Sequence, residues 1–373
     1  MGKIELDHTG SGGGVTLSSD GADLLLDGTA VGGSPDLYTD NYNGTSTKPS
    51  ATGTNAIAMG QNAVASGTDS FAIGRAATSS GSYGISYGLA ATASGNGSTS
   101  LGYSSDATGT YSTACGYSAH AQNDYANAFG YQSFATGAGS TAFKSSRASG
   151  VESVAIAIQN TNTIYGASGT GSIAIGDRAR STSGDSVAIG NFAYADNNHT
   201  FALGYRAQAD QEYSVAIGQD AYSFIYGKHS QASGRFSSTG DANSGTFILR
   251  SDTTDATPEA LTTDNGTAGT TNQIILPNNS AYAFHGTIVA RQQASAGTAS
   301  AAWKVEGLIR REGSAGTTVL VNSATTVLDN TPSWGLALSA DTTNGGLAIT
   351  VTGAASTNIR WVSTIHTSEV TYA

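Results

Sequence analysis

SGDSVAIGNFAYAD, residues 183–196, carries within fourteen residues the pattern that decides the fold. Val187-Ala188-Ile189 places a small residue between two large ones and ends at Gly190. Such period-2 alternation closed by a glycine is the signature of a short strand and a tight turn. Tyr194-Ala195 begins a second, weaker alternation. The same phrase recurs with its final position at Gly60, Gly74, Gly88, Gly102, Gly116, Gly130, Lys144, Ala157, Gly176, Gly190, Gly204 and Gly218. Nine of the eleven steps between these positions are 14 residues, and the two exceptions, 13 and 19, are neighbours. One coil is therefore irregular, with TNTIYGAS supplying the extra length, and the register recovers after it.

Two residues before each of these positions stands Ala or Ser without exception, while the flanking residues are mostly Ile, Val, Phe or Leu. A unit of two short strands and two turns cannot bury its own apolar face, but copies stacked on one another can. Each copy then adds a strand to two parallel sheets at about 4.8 Å per coil, so a dozen coils make a rod of about 55–60 Å. The alternation alone leaves open which strand face lines the lumen. If the small residues do, a stripe of Ile, Val and Phe along the rod is an exposed apolar surface. Burying such a stripe against two other copies on a threefold axis predicts a homotrimer.

The units GTDSFAIGRAATSS (67–80), SGDSVAIGNFAYAD and EYSVAIGQDAYS (212–223) resemble the head repeats of trimeric autotransporter adhesins. That resemblance covers residues 49–240 and implies a left-handed parallel β-roll in a trimer. The flanking segments are similar instead to bacteriophage tail-fibre and related virion proteins. HTGSGGGVTLSSDGADLLLDGTAV at 8–31 resembles their N-terminal segments. TFILRSDTTDATPEALTTDNG (246–266), AAWKVEGLIRREG (301–313) and NIRWVSTIHTSEVTYA (358–373) resemble their C-terminal domain. This second resemblance implies a virion component assembled in the host cytoplasm and released by lysis. It assigns no catalytic residue.

Composition agrees with an all-β chain of this kind. Gly is 49 of 373 residues and charged residues are 12%, against roughly 7% and 25% in ordinary globular proteins. Glycine does not recur every third residue and there are only five prolines, so a collagen helix is excluded. The single cysteine, Cys115, excludes a disulfide framework within one chain; it replaces the usual Ile or Leu of its coil, which predicts an apolar role. The six histidines show no metal-ligand spacing, and neither metal nor other cofactor is expected. A net charge of −11 with no Lys/Arg cluster argues against nucleic acid as a partner. No apolar run approaches the roughly 18 residues of a membrane helix, and the N-terminus lacks a signal-peptide pattern, so membrane insertion is not expected.

Three segments follow. Residues 1–48 hold two Lys and seven acids; they read as two short strands joined at Asp20-Gly21, then a Gly-rich link, an attachment segment toward other virion proteins. Residues 49–240 form the roll, a shaft of about twelve repeats. After Gly240 longer strands are expected around 247–250, 259–262, 273–276, 282–292, 301–311, 317–328, 334–339, 347–352 and 358–372. With Gly and Asn turns between them, they predict an antiparallel sandwich of jelly-roll type, a receptor-binding tip over 241–373.

Ligand-binding candidates in that domain are Trp303, Trp334, Trp361, Tyr282, His366 and Tyr372, together with His285 and the loops 278–280 and 342–345. On the shaft, Tyr103, Tyr117, Tyr131 and Tyr205 share the position after the repeat Gly. Tyr83, Tyr111, Tyr125 and Tyr213 share the position five before it. Ladders at this spacing grip sugar rings or hold the coils together. The carboxylate pairs Asp252/Asp255 and Glu259/Asp264 fall in a Thr-rich region where Asp serves turns, and GASGTG at 166–171 precedes no helix. No catalytic residue is expected. The function that follows is host-surface attachment, with glycan or protein as receptor; a capsid decoration protein and a bacterial adhesin head are the alternatives.

Overall fold

A computed structural model describes residues 47–158 and 164–372, together with four short strands at Ile4–Leu6, Val15–Ser19, Leu24–Leu26 and Thr29–Val31. These four form one antiparallel sheet in chain order. The expected Asp20-Gly21 turn lies outside the described residues.

The coil at 187–200 shows how the repeat folds. In the strand Val187–Ile189 the central Ala188 points into the lumen and is fully buried, while Val187 and Ile189 point out. Gly190 turns the chain at φ +133°, and the strand Tyr194–Ala195 sends Ala195 back into the lumen. A second turn passes through His199 in the left-handed region, φ 55°, before the next coil begins. Thirteen such coils stack in parallel, one sheet running from Ile57–Met59 to His229–Ser233 and the other from Ser50–Ala51 to Tyr222–Ser223. The sequence phrase marks twelve of them. The thirteenth, His229–Ser233, escapes notice because its outward residues are His229 and Gln231, although Ser230 keeps the small buried position.

The irregular coil recovers its register as the sequence indicates: Val154 pairs with Thr141 on one side and Ile173 on the other, at the usual equivalent positions. Turn glycines are needed where coils touch. At Gly102 φ is +132°, and a Cβ there would run into the carbonyl oxygen of Gly116 in the next coil. The lumen is lined by Ala and Ser, whose hydroxyls serve one another and the turns: Ser100 Oγ lies 2.7 Å from Ser105 Oγ, and Ser112 Oγ donates to the Gly109 carbonyl at 2.7 Å. Backbone ladders rather than large apolar side chains hold this core together, since each methyl contributes only about 0.8 kcal/mol.

The strands after the roll are β1 (Ala242–Thr253), β2 (Pro258–Ala260), β3 (Ile274–Ile275), β4 (Ser280–Gln292), β5 (Ser300–Arg311), β6 (Val319–Asp329), β7 (Gly335–Asp341), β8 (Gly346–Thr352) and β9 (Ile359–Thr371). All nine expected strands are present. Their order differs from a jelly roll. The last coil pairs antiparallel with β1, β1 with β9, β9 with β4, and β4 continues as a meander through β5 and β6. The first sheet of the roll thus runs without a break into the C-terminal domain. A smaller sheet, in which β8 pairs with β2, β3 and β7, belongs to the same apolar cluster. The physical reason is the last strand: β9 inserts between β1 and β4, a long-range pairing that local alternation cannot specify.

Where the roll meets this domain, Lys228 is fully buried and its Nζ lies 2.7 Å from Glu369 Oε2 on β9. The rings of Phe224, Phe247 and Tyr282 stand 5.1, 5.3 and 5.8 Å from the ammonium. Thr367 Oγ1 donates to Glu369 Oε1 at 2.7 Å. Burial, then the Glu369 charge and its hydrogen bond, push the Tyr282 hydroxyl well above the ordinary tyrosine range. A single charge-paired knot therefore ties the last coil to β1, β4 and β9.

Candidate functional site

The lumen question is settled by burial: small residues face in and large ones face out. Phe71, Ile85, Leu101, Phe143, Leu203 and Ile217 are exposed along one face of the rod. Cys115, half-buried on that face, pairs in register with Leu101 and Phe129, so the apolar position it occupies lies outside the lumen.

The tyrosine ladder forms in part. Tyr103 and Tyr117 stack at 4.9 Å between ring centroids and 7° between planes, and Tyr117 and Tyr131 at 5.2 Å. Tyr205 stands apart, because the equivalent positions of neighbouring coils hold Asn191 and Gln219; the Arg206 guanidinium lies 5.5 Å from its ring. In the other ladder Tyr111 stacks on Tyr125, while Tyr213 stacks on His199 at 4.8 Å. Ring faces between successive tyrosines are covered by each other, so the ladders tie coils together and offer open faces only at their ends. A further row, absent from the sequence expectations, lies on the second sheet: His120 stacks on Phe134 at 4.9 Å, Arg147 caps the same ring, and Arg180 lies over Tyr194 while paired with Asp196. Its signal is the outward residue of each second strand, spaced like the tyrosines.

In the C-terminal domain the aromatic candidates divide. Trp303, Trp334, Trp361 and Tyr282 are core residues, from 0 to 5% exposed, and present no face to a ligand. The three indoles pack together, with Trp361 5.7 Å from each of the other two, and Trp361 Nε1 donates to Thr253 Oγ1 at 3.0 Å. Strand alternation directs Tyr282, Trp303 and Trp361 inward, and Trp334, just before β7, joins the same apolar cluster. His366 is exposed on β9, with Nδ1 3.1 Å from Thr246 Oγ1 and its ring 5.5 Å from that of His285. Tyr372 is 89% exposed. With Phe236, 80% exposed, and Val370 it borders an open cleft of about 460 Å³. Of the two loops, 342–345 is held by Asp341, whose Oδ1 accepts from the Thr343 and Asn344 N–H groups at 2.9 Å. Burial would raise the Asp341 carboxyl, but these bonds and the Asn344 side chain hold it below the usual range.

The opposite end of the large sheet carries a second cleft, of about 450 Å³, lined by Asp252, Arg291, Gln292, Gln293, Asn358 and Arg360 among others. It adjoins a smaller one that adds Arg250 and Asn265. Asp252, Arg291 and Arg360 lie on the ends of β1, β4 and β9, all exposed. Register places Arg360 between Asp252 and Arg291. The acids nearby behave as turn and strand acceptors. Asp255 takes the Thr257 N–H, which holds its carboxyl below the usual range. At Asp264 burial is outweighed by bonds from the Gly266 N–H and the Asn272 side chain, again lowering the carboxyl. Glu259 accepts from Ser251 Oγ at 2.7 Å. Among the described residues, no group of three or more His, Cys, Asp or Glu is placed to hold a metal ion, and no helix is long and apolar enough to cross a membrane.

A family model described as the YadA head domain repeat matches residues 51–77, 107–126, 121–143, 167–193 and 195–221. No curated protein matches the chain with significance. Among solved structures, the tailspike protein gp49 of Acinetobacter baumannii bacteriophage Fri1, a capsular polysaccharide depolymerase, aligns over 83% of this chain at 8% identity and a TM-score of 0.20. The tailspike protein of Acinetobacter baumannii phage AM24 aligns over 86% at 10% identity and a TM-score of 0.18. The chain spans 62% and 57% of the lengths of these two proteins. By repeat and by fold, the middle of the chain is a parallel β-solenoid carrying YadA-type head repeats.

Proposed function

We propose that the chain is a non-enzymatic attachment fibre of a phage virion. Residues 1–48 join it to other virion proteins, 49–240 form a trimeric shaft, and 241–373 form the tip that contacts host-surface glycan. The observation that carries this reading is the contrast between the two halves. The solenoid is a rod with a lumen filled by Ala and Ser; the domain locked to its end holds the open clefts. A rod that ends in a recognition domain is a spacer, and three copies of one weak site at a tip gain by avidity. The resemblance of the flanking segments to virion proteins supports the same assignment.

Gold-labelled antibody to 241–373 on intact particles is expected at the ends of tail appendages, and purified full-length protein is expected to compete with particles for host cells. Gold spread over the capsid would assign the chain to decoration instead.

The shaft supplies its own test. Leu203 and Ile217, paired in register on adjacent coils and each 37% exposed, belong to the apolar stripe that a threefold axis would bury. A native mass of three times 37.4 kDa is expected. The double change Leu203→Lys/Ile217→Lys is expected to yield single chains with the β-spectrum unchanged, since outward substitutions cost the isolated fold only about 0.5 kcal/mol. Persistence of the trimer in that variant would remove the stripe from the interface.

A further inference from the structure

We infer that the cleft at the far ends of β1, β4 and β9 binds a carboxylate-bearing sugar, with Arg291 and Arg360 receiving the carboxylate. This deepens the attachment reading and rests on it for the kind of ligand.

The arginines are placed at an electrostatic cost. Arg291 and Arg360 are direct cross-strand partners on the exposed face, and like charges in that position repel. Arg250 lies two residues from Asp252 on the neighbouring strand and lines the adjoining cleft with Arg360. None of the three makes an ion pair with a described residue, although the chain carries 27 acids against 16 Lys and Arg. Arg291 spends one Nη1 bond on the Ala299 carbonyl at 3.2 Å. Asp252, the register partner of Arg360, has its Oδ1 facing Asn265 Nδ2 at 3.2 Å. Three of the six Lys and Arg beyond residue 240 therefore converge on one pair of clefts.

The surroundings match a sugar rather than a bare anion. Gln292, Gln293 and Asn358 bring amides that donate and accept, as hydroxyl pairs require. Asn358 Nδ2 and Gln293 Oε1 already hold each other at 2.9 Å, which fixes one rim of the cleft. Guanidinium forks suit a planar carboxylate, which takes two parallel bonds. Position also favours access. β1 pairs with the last coil only over Ser244–Thr246, so Asp252 stands six residues, about 20 Å of strand, to the side of the shaft's apolar stripe.

The test uses the full-length protein and a panel of glucuronate-, galacturonate- and sialate-containing oligosaccharides, each beside its carboxyl-reduced neutral form and a sulfated neutral counterpart, read by titration calorimetry in low and high salt. Binding of at least one carboxylated member, lost on carboxyl reduction and weakened by salt, is expected. Arg360→Gln and Arg291→Gln should each weaken it by about tenfold, as loss of a charge-assisted contact does, without lowering the melting temperature. Absence of binding across the carboxylated panel, equal binding of the neutral or sulfated forms, or indifference to both substitutions would overturn the assignment. Host-cell adsorption separates the two readings. If the doubly substituted protein adsorbs like the unsubstituted one, the cleft falls and attachment stands; if the unsubstituted protein does not adsorb, attachment falls, while calorimetry still judges the cleft.

Discussion

Replacing Lys228 by alanine is expected to cost about 3–5 kcal/mol, the penalty for leaving one partner of a buried ion pair uncompensated. Glu369 would keep the Thr367 and Tyr282 hydroxyls but lose its ammonium, inside a site that water does not reach. Three aromatic rings would also lose the cation they surround. Since these groups belong to the last coil, β1, β4 and β9, the loss falls on the joint between the roll and the C-terminal domain. Calorimetry should show the C-terminal transition separating from that of the roll and moving down. The double change Lys228→Met/Glu369→Leu should recover most of the loss, because a packed apolar pair replaces a desolvated charged one at little net cost. A Lys228→Ala protein that melts like the original would show that the pair does not hold the joint.

The other large effect belongs to the lumen. Ala188 is fully buried and stacks in register between Ala174 and Ala202. Leucine there adds three carbons to a space shaped for a methyl, and overpacking of this kind costs about 1–3 kcal/mol in cores that can adjust. The solenoid adjusts poorly, since its coil spacing is fixed by the backbone ladder on both sides. Ala188→Leu is expected at the top of that range or above in urea unfolding. Val187→Leu, on the outward side of the same strand, should change stability by less than about 0.5 kcal/mol. Equal costs for the two would contradict the assignment of inside and outside.

Much of the fold is legible in the residues because a repeat states the same local rule many times. Ala or Ser between two large residues, then Gly, is enough to fix strand, turn and coil period. The thirteenth coil is missed because His229 and Gln231 replace the outward apolar residues, while only Ser230 keeps the rule. The candidate sites were less legible. Tryptophan in a β-domain suits a ligand platform or a core, and Trp303, Trp334 and Trp361 fill the core of the C-terminal domain. The arginine cleft leaves no mark on the sequence, because Arg250, Arg291 and Arg360 are far apart in the chain and each looks like an ordinary surface cation.

By itself the sequence determined the all-β class, the 14-residue coil, the interruption and recovery near 157–176, and the nine later strands. These follow from alternation and glycine turns, which act over a few residues. Only the tertiary structure decided that small residues line the lumen, that β9 enters between β1 and β4 so that one sheet runs from the roll into the C-terminal domain, that Lys228 meets Glu369, and that three arginines share a pair of clefts. Each of these depends on a strand pairing between distant segments, which short-range periodicity permits but does not select.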